Sequence, residues 1–107
     1  MTMQGMNVID CFTLAVGGTT AVGLSSASPP LIDGYMSGKT VYRMIISVDA
    51  NDIMWRADGA DPTATVGHLI SDGGSLSLTG ANGKSIIRNI KFIGVSAAAT
   101  IFGTTFD

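Results

Sequence analysis

Turn signals cut this chain at short intervals: Gly17-Gly18, Asp33-Gly34, Asp49-Ala50-Asn51-Asp52, Asp58-Gly59, Asp72-Gly73-Gly74 and Asn82-Gly83. Glycine accepts positive φ, and Asp and Asn hydrogen-bond their own backbone, so each signal ends the element before it. Between them lie runs of Val, Ile, Leu, Phe and Thr. One of these, Ser75–Thr79 (SLSLT), alternates strictly and places Leu76 and Leu78 on one side, the period of a half-buried strand.

The residues that would favour helices are nearly missing. There is no Glu, one Gln (Gln4) and three Lys in 107 residues, and these are the types that normally fill exposed helix positions. The expected fold is therefore all-β: an antiparallel β-sandwich, jelly-roll-like, with about seven or eight strands, a number that a minimal barrel could also use. Length predicts one domain, residues 8–107, preceded by an extended N-terminal arm over residues 1–7.

Charged residues make up 13% of the chain and hydrophobic ones 46%, with a mean hydropathy of +0.40. An average soluble domain is about 25% charged. So sparse a charge cover predicts extensive protein contacts, either with copies of itself as a homodimer or homotrimer or with a larger assembly. The net charge of −2 offers no electrostatic footprint for nucleic acid or an anionic membrane, and neither is expected as a partner. No apolar run approaches the 18 or so residues of a membrane span. The first Lys or Arg is Lys39, so the apolar start lacks the basic region of a signal peptide, and the expectation is an unprocessed protein made in the cytoplasm.

In chain order, Met1–Met6 reads as a tail ordered against a neighbour if at all. Val8–Val16 reads as a strand covered on both sides, since Asp10 is its one charge, with Cys11 as a buried small hydrophobe. Thr19–Leu24 follows as a short strand. Ser25–Gly38 reads as a loop, with Pro29-Pro30 breaking any ladder and Leu31, Ile32, Tyr35 and Met36 either packed over the domain end or engaged with a partner. Lys39–Val48 reads as a strand with Met44, Ile46 and Val48 on one face. In Ile53–Ala57, Trp55 is expected to anchor the core, and Arg56 and Asp58, two residues apart, to share a face. Gly80–Gly83 signals a hairpin, Ser85–Val95 returns as a strand interrupted by Arg88, and Ala99–Phe106 closes the domain.

Catalytic chemistry is hard to assemble from these residues. Asp49 to Asp52 suggests a calcium loop, but the sixth position is Met54 where Gly is needed and the twelfth is Ala60 where Glu is needed. His68 is the only His and Cys11 the only Cys; a metal site would need carboxylates from elsewhere, and His68 is expected to be a hydrogen-bonded structural residue. The acids are all Asp and fall mostly at turns, where Asp serves the backbone. No enzyme, metal or cofactor is expected.

The succession Ile53-Met54-Trp55-Arg56-Ala57-Asp58-Gly59, Pro62-Thr63, Gly67-His68, Asp72-Gly73-Gly74 and Ser75-Leu76-Ser77-Leu78 resembles a pattern in small virion proteins of tailed bacteriophages. The resemblance extends over residues 40–107 through IIRNIKFI and the Thr- and Phe-rich final segment. It implies a capsid decoration or cement protein, a non-enzymatic β-domain on the virion surface that bridges major capsid protein subunits. On that reading Met1, Met3, Met6, Pro29, Pro30, Leu31, Ile32, Tyr35 and Met36 are the partner-contact residues, and Trp55, Arg56, Asp58 and His68 are structural. The alternatives are a receptor- or glycan-binding module of a tail fibre, with Trp55, Tyr35 and Tyr42 stacking on sugars, and a tail or neck adaptor.

Overall fold

The computed structural model describes residues 7–79 and 84–107, the backbone alone at 84–86. The fold is all-β and antiparallel, with two four-stranded sheets sharing one core. The first sheet runs β1 (Val8–Val16), β10 (Ala99–Phe106), β5 (Arg43–Asp49) and β8 (Ser75–Thr79); the second runs β2 (Val22–Gly23), β9 (Lys91–Gly94), β6 (Ile53–Arg56) and β7 (His68–Ile70). A small hairpin of β3 (Tyr35–Met36) and β4 (Lys39–Thr40) stands apart from both.

The pairing is nested. Among the described strands the first pairs with the last (β1 with β10), and β2 pairs with β9, β5 with β8 and β6 with β7. Two further ladders, β10 with β5 and β9 with β6, join these pairs into the two sheets. Alternation then decides what lies between them: Phe12, Leu14 and Val16 from β1, Met44, Ile46 and Val48 from β5, and Ala99 and Ile101 from β10 meet Ile53, Ile70 and Phe92 from the other sheet. This is the period-2 rule applied to two sheets whose inner faces must both be dry.

Several expectations need correcting. Val8–Val16 is a strand, but only one of its faces is covered, and Cys11 is exposed. Thr19–Leu24 contains a strand of just two residues, followed by a 3-10 turn over Leu24–Ser26. Lys39–Val48 is broken at Val41 and Tyr42, so Val41 turns into the core beside Met44 instead of sharing a face with Arg43. The largest departure is in Ser85–Val95: Lys84–Asn89 is a helix, α1, and only Lys91–Gly94 is a strand. Ile87 and Ile90 are both buried, and their spacing of three suits one helical turn as well as a strand bend. Arg88, which breaks a strand face on the extended reading, is exposed on this helix and donates from Nη2 to the Asp33 carbonyl at 3.3 Å. The hairpin expected at Gly80–Gly83 lies outside the described residues.

Ser25–Gly38 is more ordered than a loop. Asp33-Gly34 (φ +53° and +83°) and Ser37-Gly38 (φ +52° and +78°) both have positive φ at two successive positions, the requirement of a type I′ turn. Backbone hydrogen bonds between Ile32 and Tyr35 close the first turn in both directions, and the β3–β4 ladder closes the second. The segment is tied down by Leu31 and Met36, which are 3% and 1% exposed.

Candidate functional site

The residues singled out from sequence fall into three places. Met1, Met3 and Met6 lie outside the described residues. Of the Ser25–Gly38 group, Leu31 and Met36 belong to the core, which corrects their assignment as partner contacts: burying them is what holds the hairpin in place. Ile32 and Tyr35 remain outside, at 56% and 46% exposure, with Pro30 also exposed and Pro29, on a cis peptide bond from Ser28, half-buried. The turn geometry accounts for this split, because residues alternate sides along β3 and its flanks.

Trp55, Arg56, Asp58 and His68 form the second group, at the end of β6 where it pairs with β7. Trp55 is opposite His68 in the ladder, and the two rings lie 4.7 Å apart at 34°. Trp55 packs on the core as a half-buried residue, so it is a flanking wall and not the central anchor expected of it. His68 is exposed, and among the described residues its side chain lies against the Trp55 ring instead of making the expected hydrogen bond. Gly67 is required beside them: it has φ +142°, and a side chain there would press on the Trp55 carbonyl oxygen at 2.9 Å.

Arg56 and Asp58 are paired as their spacing suggests. Arg56 donates through Nε to Asp58 Oδ1 at 3.1 Å and through Nη2 to Oδ2, a two-pronged guanidinium–carboxylate contact. The Arg56 hydrogen bonds, with help from the Ala60 backbone N–H, hold the Asp58 carboxyl below its ordinary range, and the same contact raises Arg56. With Trp55, Ala57, Gly67 and His68 this pair lines an open cleft of about 470 Å³. A second ion pair, Lys91 with Asp61 at 3.0 Å, lies nearby in sequence register, since Arg56 is opposite Lys91 on β9. Among the described residues no group of three or more His, Cys, Asp or Glu is placed to hold a metal.

The third place was not singled out from sequence. It is the outer face of the first sheet, where rows of residues cross β1, β10, β5 and β8 in register. One row is Cys11, Thr104, Ile45 and Ser77; the next is Thr13, Phe102, Ser47 and Ser75. These two rows carry no charge, and Phe102 and Ile45 stand 45% and 39% exposed. A shallow apolar hollow of about 330 Å³ opens among Cys11, Thr13, Ile45, Phe102 and Thr104. The signal in the sequence is the near-absence of charge from Val8–Val16, where Asp10 is the one charged residue and the Ile9, Cys11, Thr13, Ala15 face has none. It pointed to a strand covered by its own domain because a naked uncharged face and a buried one look alike in composition. No protein-family model matches the chain, and neither does any curated protein or solved structure.

Proposed function

We propose that this chain is a non-enzymatic structural protein of a tailed-phage virion, which decorates and cements the capsid by bridging major capsid protein subunits. The nested strand pairing supports a jelly roll, an architecture shared by viral capsid domains, lectins and others; that support is analogy of fold. The observation that carries the reading is the hairpin: Ile32 and Tyr35 project from a segment locked to the core by Leu31 and Met36. A preformed apolar projection loses little conformational freedom on docking. A protein that binds only the assembled shell stabilises it by mass action.

Quantitative mass spectrometry of intact particles tests the proposal. Hundreds of copies on the head support it, and Ile32→Asp should reduce that occupancy while leaving the circular dichroism melt unchanged. A few to several dozen copies on the tail would overturn it in favour of an adaptor. One feature favours a glycan-binding module: Trp55 and His68 form an aromatic wall beside the Arg56–Asp58 pair in an open cleft, the kind of surface on which a sugar ring stacks while its hydroxyls are hydrogen-bonded. Trp55 is the only Trp, so its fluorescence reports directly on that cleft in a titration with oligosaccharides.

A further inference from the structure

We propose that the outer face of the first sheet is a self-association surface, on which a second copy of this chain packs face to face with its strands running in the opposite direction. Three features of the face converge on that occupant. Its two central rows are uncharged and contain Phe102 and Ile45, both exposed. The residues of β5 that point outward are, in order, Arg43, Ile45, Ser47 and Asp49, so a cation stands at one end and an anion at the other. Neither is in an ion pair among the described residues.

A two-fold axis in the plane between the sheets, perpendicular to the strands, keeps each strand above its own copy and reverses the order of the rows. Arg43 then faces Asp49 of the second copy, twice. An axis parallel to the strands would instead set the Arg43 row against itself, a like-charge contact. Charge thus selects the reversed stacking, and two-fold symmetry closes it at two copies.

Shape agrees with charge. In the reversed stacking Phe102 comes down over Thr104 of the second copy, beside the hollow that Cys11, Thr13, Ile45, Ser47, Thr104 and Phe102 itself line, which spans both central rows. Knob and hollow sit on the same face, as an interface that meets itself must have them. Arg43 is already oriented: its guanidinium lies 4.4 Å over the Phe106 ring, which holds the charge at the end of β5 without neutralising it. Four strands spaced about 4.8 Å apart and the length of β5 give a face of roughly 450 Å² in projection. That is below the roughly 800 Å² per partner of a standard complex, so the dimer is weak in dilute solution and forms where copies are concentrated.

Analytical ultracentrifugation of the full chain from about 10 μM to about 1 mM tests this, a range suited to a small interface. The expected result is a reversible monomer–dimer equilibrium that Phe102→Lys abolishes and Ile32→Asp leaves unchanged. Asp49→Arg should weaken it, and more so at low salt. Alkylation of Cys11 by iodoacetamide should slow as the dimer fills in wild type but not in Phe102→Lys. Circular dichroism melts of each variant establish that it is folded; should Phe102→Lys prove unfolded, Ser47→Lys, at an exposed position in the same row, takes its place with the same expected loss. A wild-type monomer throughout the range, a trimer, or a dimer indifferent to Phe102→Lys and Asp49→Arg would each overturn the proposal. Loss of capsid occupancy in Ile32→Asp with the dimer intact would separate this surface from the capsid-docking hairpin.

Discussion

Phe12 lies across Gly103. The two are partners in the β1–β10 ladder, both on the inner face, and a Cβ at Gly103 would overlap the Phe12 ring. Gly103 has no positive φ to satisfy; it is there to leave space for an aromatic that fills the core from the neighbouring strand. Gly103→Ala is therefore expected to destabilise the domain by about 1–3 kcal/mol through overpacking. Phe12→Leu in the same chain should recover part of that loss, because contacting residues are coupled. Urea denaturation of both single variants and the double variant measures the coupling, and strict additivity would show that ring and glycine do not compete for the same space.

Trp55 gives a second measurable contrast. A fully buried Trp truncated to Ala costs about 3–5 kcal/mol. Trp55 is only half-buried, with one side on the core and His68 on it, so Trp55→Ala should cost about 2–3 kcal/mol and leave a folded protein. His68→Ala removes the ring contact alone and should cost about 0.5–1.5 kcal/mol. Circular dichroism is the readout, since the only Trp is lost in the first variant. An unfolded Trp55→Ala would return Trp55 to the role of central anchor.

How far the sequence could be read follows from which rules are local. Met44, Ile46, Val48, Leu76 and Leu78 follow the two-residue period because that period depends only on the strand itself. Asp33-Gly34 and Gly73 take positive φ where their residue types allow it. Lys84–Asn89 reads as a strand because Ile86-Ile87 carries a strand preference and fewer than two helical turns leave no periodicity to detect. Cys11 reads as buried for a different reason: Thr13, Ala15, Thr104 and Phe102 leave the outward sides of β1 and β10 without charge around it, and alternation cannot tell such a face from a buried one. The nested pairing of first strand with last, and hence the outer face itself, is a long-range property that no segment encodes alone.

The Arg56–Asp58 pair sets the expected acid response of the cleft. Asp58 is ionised more readily in the folded protein than in the unfolded chain, because Arg56 and the Ala60 N–H hydrogen-bond its charged form. Its contribution is thus fully present above the unfolded carboxyl value of about 3.9 and is lost as pH falls through the lower folded value. Both groups are exposed enough for water to screen them, so the effect is small. Asp58→Asn should leave the melting temperature near neutral pH little changed and flatten its fall below about pH 4. Parallel curves for the two proteins across the acid range would mean that the pair is not held in solution.

Among the described residues Thr105 is the one buried polar residue of the inner faces, and its hydroxyl is committed. Oγ1 donates to the Asp10 carbonyl at 3.2 Å and lies 3.3 Å from Met36 Sδ, linking β10, the irregular start of β1 and the β3 strand of the hairpin. Thr105→Val keeps the volume but leaves the Asp10 carbonyl without this donor, at an expected cost of about 1 kcal/mol. Thr105→Ala adds a cavity beside Met36 and should cost more, about 2 kcal/mol. The hairpin is anchored to the domain partly through Met36, so the second substitution should also loosen Ile32 and Tyr35. Amide hydrogen exchange at the Ile32 and Tyr35 N–H groups, which close the first hairpin turn, should therefore accelerate in Thr105→Ala beyond the factor set by the global stability change. Exchange that tracks global stability alone would show that the hairpin is held by Leu31 and its own turns, independently of Thr105.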